Sequence, residues 1–219
     1  PTEDPGLSHR PTIHFSYFVD GKYDDFTTGA TTWIPDATGV WTMDSSGTYK
    51  AVRGASWSFS YAYSIRSTTT SATFQARMKQ QGAESGIMGL IVNRQSSSSF
   101  YLADLYNNKV RFLRQLNGVW SNLGEAAFDW APSKWYTLKV VQQGASFKVY
   151  VDDQQKLTIT DSSFATGNLG LGVYNGTFYF DDVRVSEDSS APLEVVVEKR
   201  QDAGGGSSAD YVRSFQYYD

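Results

Sequence analysis

The sequence contains no cysteine and only two histidines, His9 and His14. A disulfide framework, a thiolate metal site and a thiol nucleophile are therefore excluded. A serine–histidine–aspartate triad would have to use one of those two histidines, and no Gly-x-Ser-x-Gly elbow is present. Cysteine-free chains fit both a cytosolic and a bacterial-type secreted protein, so this absence does not separate them. Long apolar runs are also lacking, and nothing approaches the roughly 20 residues that cross a bilayer as a helix. No basic excess exists either. Lys and Arg number 19 against 23 Asp and Glu, a formal net charge of −4, and no basic patch argues for nucleic acid. Apolar residues at helical spacing are scarce. The opening residues 1–12, PTEDPGLSHRPT, are polar and proline-rich, unlike a signal peptide, and read as a linker.

What is abundant is aromatic. The 219 residues include 6 Trp, 14 Tyr and 13 Phe, with plentiful Gly, Ser and Thr, a mixture that suits strands joined by tight turns. Alternation with a period of two recurs along the chain. SWSFSYAYSI (56–65) places Trp57, Phe59, Tyr61 and Tyr63 on one face. WYTLKVVQ (135–142) and FKVYVDD (147–153) repeat the pattern, and about a dozen strands follow at a spacing typical of a sandwich or jelly roll. Asn107-Asn108 and Asn175-Gly176 predict two-residue hairpin turns. GEAAFDW (124–130) allows one short helical turn. In FYFDDVRV (178–185), Phe178 and Phe180 share one parity and Val183 and Val185 the other, which predicts a β-bulge at Asp181-Asp182. The composition changes after residue 187. Residues 188–192 read as a linker, and 193–219 as a separate hairpin that begins a further domain.

The segments ATFQARMK, GIMGLIVNRQSSSSFYLADL, WYTLKVVQQGASFKVYVDDQQ and DSSFATGNLGLGVYNGTFYFDDVRV resemble the concanavalin A-like lectin/glucanase superfamily, in its laminin-G-like and carbohydrate-module branch. YDDFTTGATTW (23–33) resembles its opening, so the likeness spans most of residues 13–187. The resemblance implies an all-β, two-sheet antiparallel β-sandwich, with first and last strands adjacent and a structural Ca²⁺ near them. Bulge carboxylates and free carbonyls form the hard-oxygen set that Ca²⁺ prefers. Asp25 and Asp182 are the expected ligands. The alternative is that these aspartates only solvate a strand end. DYVRSFQYYD (210–219) resembles the start of an RHS tyrosine-aspartate repeat, which would embed the domain in a large surface shell protein.

Sugars present C–H faces to aromatic rings and hydroxyls to planar polar groups. Arg94, Tyr101, Asp104 and Trp120 are the expected ligand-binding residues; Tyr61 and Tyr63, which share a face with Trp57, and Tyr106, on the strand of Asp104, are further aromatic candidates. The alternative for each aromatic is packing inside the sandwich. Glycosidases of this superfamily carry closely spaced carboxylates such as Glu-x-Asp-x-x-Glu, and none occurs here; Glu84 and Glu125 stand alone. The expectation is therefore a non-catalytic carbohydrate-binding or adhesive module of a larger extracellular or cell-surface protein. Its partner would be a polysaccharide, with no nucleic acid and no membrane span. Rival readings are a polysaccharide lyase using His14 in TIHF, and a structural spacer. Asn175-Gly176-Thr177 is a formal glycosylation sequon that also reads as a turn, and Lys199-Arg200 is a dibasic pair.

Overall fold

The computed structural model describes residues 21–54, 59–82 and 86–187. The segments 13–19 and 193–219, the linkers, and His9, His14, Trp57 and Glu84 lie outside the described residues.

The described residues form strands β1 (Gly21–Asp24), β2 (Trp33–Pro35), β3 (Val40–Met43), β4 (Tyr49–Arg53) and β5 (Ser60–Thr68). There follow β6 (Ser71–Gln81), β7 (Ile87–Ser96), β8 (Ser99–Tyr106), β9 (Lys109–Leu116) and β10 (Val119–Ala127). The last are β11 (Tyr136–Gln143), β12 (Ser146–Val151), β13 (Gln154–Thr160), β14 (Gly167–Tyr174) and β15 (Gly176–Glu187). They build two antiparallel sheets. The first has eight strands, in the order β13-β12-β11-β6-β15-β4-β3 with β1 also paired to β15; the second has seven, in the order β10-β9-β8-β7-β14-β5-β2.

Alternation sets which side chains meet. On β6 and β11, Phe74, Ala76, Met78, Tyr136, Leu138 and Val140 point inward and are buried, while their neighbours are only partly covered. On the facing sheet, Met88, Leu90, Tyr101, Ala103, Leu105, Val110 and Phe112 join them in one core. The strands of the seven-stranded sheet do not alternate so cleanly. β8 is buried from Ser99 to Leu105, because a second apolar cluster of Tyr61, Ile91, Phe100 and Leu102 lies apart from the main core.

The slip in FYFDDVRV is a bulge. Asp181 pairs with Arg77 and Arg184 with Gln75, so β15 holds one residue more than β6 across that interval. Asp182 absorbs it in the left-handed region, at φ 46°. The result keeps Phe178, Phe180, Val183 and Val185 all inside. The bulge also marks a change of partner: β4 pairs residues 176–180 of β15, and β1 pairs 183–185. A short aspartate tolerates this backbone better than a branched residue does.

One turn matches its expected chemistry and two elements differ. Asn107 and Asn108 both have positive φ, 48° and 56°, and close the β8–β9 hairpin. Asp152 and Asp153 do the same between β12 and β13. Asn175-Gly176, by contrast, is not a hairpin: β14 and β15 lie in different sheets, so the turn arches across the sandwich. Residues 124–127 are not helical but continue β10, where Glu125 sits opposite Arg111 and accepts a hydrogen bond from Lys109. Pairing with β9 satisfies this backbone more fully than an isolated turn could.

If the positive φ at Asp182 sustains the phase change, Asp182→Val should destabilise the fold by about 2 kcal/mol, through backbone strain and the lost Arg77 bond. Asp182→Gly should cost less than half of that. Urea denaturation of both variants measures the difference, and equal losses would contradict the strain argument.

Candidate functional site: the outer face of the seven-stranded sheet

On β5, β7, β8, β9 and β14, the residues that do not face the core form a surface of their own. Phe59, Tyr61, Phe100, Leu102, Leu113 and Trp120 bound an open cavity of about 660 Å³, with Tyr106 and Tyr174 at its sides. The rings brace one another. Phe59 and Phe100 are stacked at 6.2 Å, and Trp120 meets Phe100 edge-on at 5.6 Å and Phe59 at 6.1 Å, a favoured aromatic arrangement. Trp120 remains 42% exposed, so part of its ring is open to a ligand. Glycine makes this bed possible. A Cβ at Gly172 would lie 2.1 Å from the Phe59 ring, so no larger residue lets that ring settle on the sheet.

The polar lining comes from Arg111, Gln115, Ser97, Ser121 and Asn122. Arg111 is held rigidly. Its Nε and Nη2 donate to the two carboxylate oxygens of Asp104 at 2.9 and 2.7 Å, and its guanidinium lies 4.4 Å from the Tyr106 ring centroid. A two-point bond of this kind fixes orientation as well as charge. Asp104 itself is wholly buried beneath the arginine. Gly89, its neighbour across β7, leaves it room: a Cβ there would lie 2.9 Å from the Asp104 Cβ. Burial lifts the Asp104 carboxyl to about 6, with the hydrogen bonds and charge of Arg111 opposing that rise. The pair gives the cavity fixed N–H donors with no net charge behind them. Neither a carboxylate nor a histidine is among the described residues lining the cavity.

The four residues expected to bind ligand separate. Trp120 lines the cavity, and it sits on strand β10 rather than in a loop; only Asn117-Gly118 form the turn. Arg94 lies at the flank, its guanidinium 4.1 Å from the Tyr63 ring and 5.1 Å from Tyr61, so it supports the aromatic surface without lining the cavity. Asp104 lies on the outer face but is fully buried under Arg111 and does not itself line the cavity. Tyr101 is a correction. It has the opposite parity on β8, is 0% exposed, and packs against Phe112, Phe147 and Phe164 in the core. Its hydroxyl donates to Asp161 at 2.5 Å and accepts from the Phe164 amide. Burial and that carboxylate push the phenol up to about 12.

Arg111, Phe59, Phe100, Gln115 and Asn122 were not anticipated. Arg111 was within reach of sequence reasoning: a two-residue turn at 107–108 forces Asp104 opposite Arg111.

The expected calcium ligands are close but otherwise engaged. β1 runs beside β15, with Asp24 opposite Val183, which brings Asp25 near enough to Asp181 to help raise its pKa. The larger cause of that rise is burial. Asp182 Oδ2, however, accepts from Arg77 Nη1 at 3.0 Å, and Asp181 lies 4.0 Å from the same guanidinium. Asp25 Oδ1 accepts from the Thr27 hydroxyl at 2.7 Å. Among the described residues no three acidic or histidine side chains converge on a cation position. As arranged, the Asp181 and Asp182 carboxylates face the Arg77 guanidinium, which supplies them with a cation.

No protein-family model matches the chain. A stretch of 85 residues, 38% of the chain, is 35% identical to a levanase of Bacillus subtilis (strain 168) and spans 13% of that protein's length. Among solved structures, the carbohydrate binding module CBM66 from Bacillus subtilis superposes with a TM-score of 0.65 at 24% identity, covering 71% of this chain and 96% of that one. A Bacillus licheniformis β-glucanase superposes at 0.59 with 17% identity, covering 74% and 96%. The chain shares the fold of these two proteins, one a binding module and the other a glucanase.

With Arg77 filling the cationic role, neither calcium nor a chelator should shift the melting temperature. Arg77→Ala, which frees Asp181 and Asp182, should make melting rise with added calcium. A calcium-dependent shift in the unaltered protein would restore the metal reading.

Proposed function

We propose that the protein is a non-catalytic carbohydrate-binding module of a larger extracellular protein, and that it takes a neutral glycan on the outer face of the seven-stranded sheet. The observation that carries this is the half-open Trp120 ring, set edge-on against Phe59 and Phe100 at the rim of the cavity. A sugar ring stacks there with its C–H face, while Arg111, Gln115 and Asn122 offer hydrogen bonds to its hydroxyls. Neutralisation of Arg111 by Asp104 favours uncharged sugars over uronates. The binding reading is preferred to hydrolysis because a glycosidase needs an acid and a second carboxylate at the ligand, and the described lining supplies neither. The likeness to CBM66 and to part of a levanase supports the same reading.

A glycan array or affinity electrophoresis tests it. Retention on at least one neutral polysaccharide is expected, weakened about tenfold or more by Trp120→Ala, as for an aromatic side chain that carries much of the binding energy. No retention on any polysaccharide, or retention indifferent to Trp120, would overturn the assignment.

Acidity gives a second test. The folded carboxyl of Asp104 titrates near 6 against an ordinary 3.8. Its contribution to stability is therefore fully present below 3.8 and lost as the pH rises through 6. Ligand binding should run the other way, because the carboxylate is what fixes Arg111. Affinity is expected to fall as the pH drops through about 6. Asp104→Asn should bind weakly at every pH and lose this dependence. A flat profile in the unaltered protein would remove Asp104 from the site.

A further inference from the structure

The outer face of the eight-stranded sheet carries a different chemistry. Tyr179 on β15 lies directly opposite Lys50 on β4 and Lys79 on β6, and Trp135, one residue before β11, continues the row past Lys79. Cations and rings thus alternate across four neighbouring chain segments. The Lys79 ammonium lies 4.7 Å from the Tyr179 ring centroid and 4.8 Å from that of Trp135. Lys50 lies 5.9 Å from Tyr179 on its other side, and Arg77 lies 4.9 Å from Trp135. All of these side chains are partly exposed.

The acids near this face are already committed. Asp181 and Asp182 face Arg77, and Asp153 accepts from Lys139 at 2.5 Å. Lys50 and Lys79 have no carboxylate partner among the described residues. The Lys79 ammonium is held between two aromatic rings and that of Lys50 rests against one, contacts that limit motion without neutralising charge. The two lie on strands that flank β15, roughly 10 Å apart, so they form a short cationic track across the strands.

We propose that this track is a second binding surface, and that its partner is an anionic polysaccharide lying across β4, β15 and β6. Charge complementarity selects the partner. Two preorganised, uncompensated ammonium groups on an otherwise acidic protein favour a polymer that carries carboxylate or sulfate at intervals. Interleaved rings offer apolar edges to its sugar rings. The surface stands on residues separate from the Trp120 cavity and does not depend on the neutral-glycan reading. Together the two faces would let one module hold a neutral and a charged chain at once.

Affinity electrophoresis in polygalacturonate at low ionic strength tests this. The whole protein should be retarded, and the retardation should vanish at high salt, as exposed charge pairs are screened. Lys50→Gln/Lys79→Gln should weaken binding about three- to tenfold, the range expected for two exposed ion pairs. Far-ultraviolet circular dichroism should show an unchanged fold. Removing the same charge at Lys109 and Lys156, outside the track, should leave the retardation in place. No retardation at low salt would overturn the proposal, as would retardation that survives Lys50→Gln/Lys79→Gln. Binding to anionic lipid vesicles without binding to polygalacturonate would overturn it in favour of a membrane surface.

Discussion

The structure depends on two sheets pressed face to face, with each strand offering alternate residues to the shared core. This geometry divides every strand into an inner and an outer half, and any error in phase exposes one half and buries the other. Strand β15 is where the demand is most severe. It lies inside its sheet between β6 on one side and the pair β4 and β1 on the other, and it must present Phe178, Phe180, Val183 and Val185 to the same core. Strict alternation cannot achieve that. One extra residue, placed at Asp182 in a left-handed conformation, achieves it, and the carboxylates at the break are turned outward onto Arg77.

The same division gives the outer halves their own chemistry. On the eight-stranded sheet the outer positions are mostly polar, and Lys50, Lys79, Tyr179 and Trp135 form a charged row. On the seven-stranded sheet they are largely apolar, and they assemble a second cluster that no other layer of the described residues covers. An apolar sheet face without a covering layer has a cost in water, so a built cavity with fixed donors in it carries information about a ligand. Arg111 contributes a directed donor because Asp104 holds it from below, and Gly89 and Gly172 let the backbone and the rings approach closely enough.

Much of the fold could be read in the sequence because alternation is a local signal. Strands β6, β11 and β12 announce themselves by period two, and the break at Asp181-Asp182 is visible as a change of parity. Turn chemistry was less reliable. Asn107-Asn108 closes a hairpin, whereas Asn175-Gly176 carries the chain between sheets, and a dipeptide cannot report which strand the next segment will join. The site was only partly legible. IMGLIV and FYLADL are apolar on both faces, so the core side of β7 and β8 could not be told from the ligand side, and Tyr101 was assigned to the wrong one. Trp120 was identifiable because its neighbours are turn residues. Arg111 required carrying the register through a turn, since only the pairing with Asp104 distinguishes it from other surface arginines.

The proposed glycan site lies on the outer face of the seven-stranded sheet. An amide NMR titration with an oligosaccharide selected on a glycan array tests this most directly. Perturbed signals are expected on Phe59, Phe100, Arg111 and Trp120 and their strand neighbours, with the Trp120 indole N–H among the largest. Perturbations confined to the eight-stranded sheet or to the sandwich ends would contradict it.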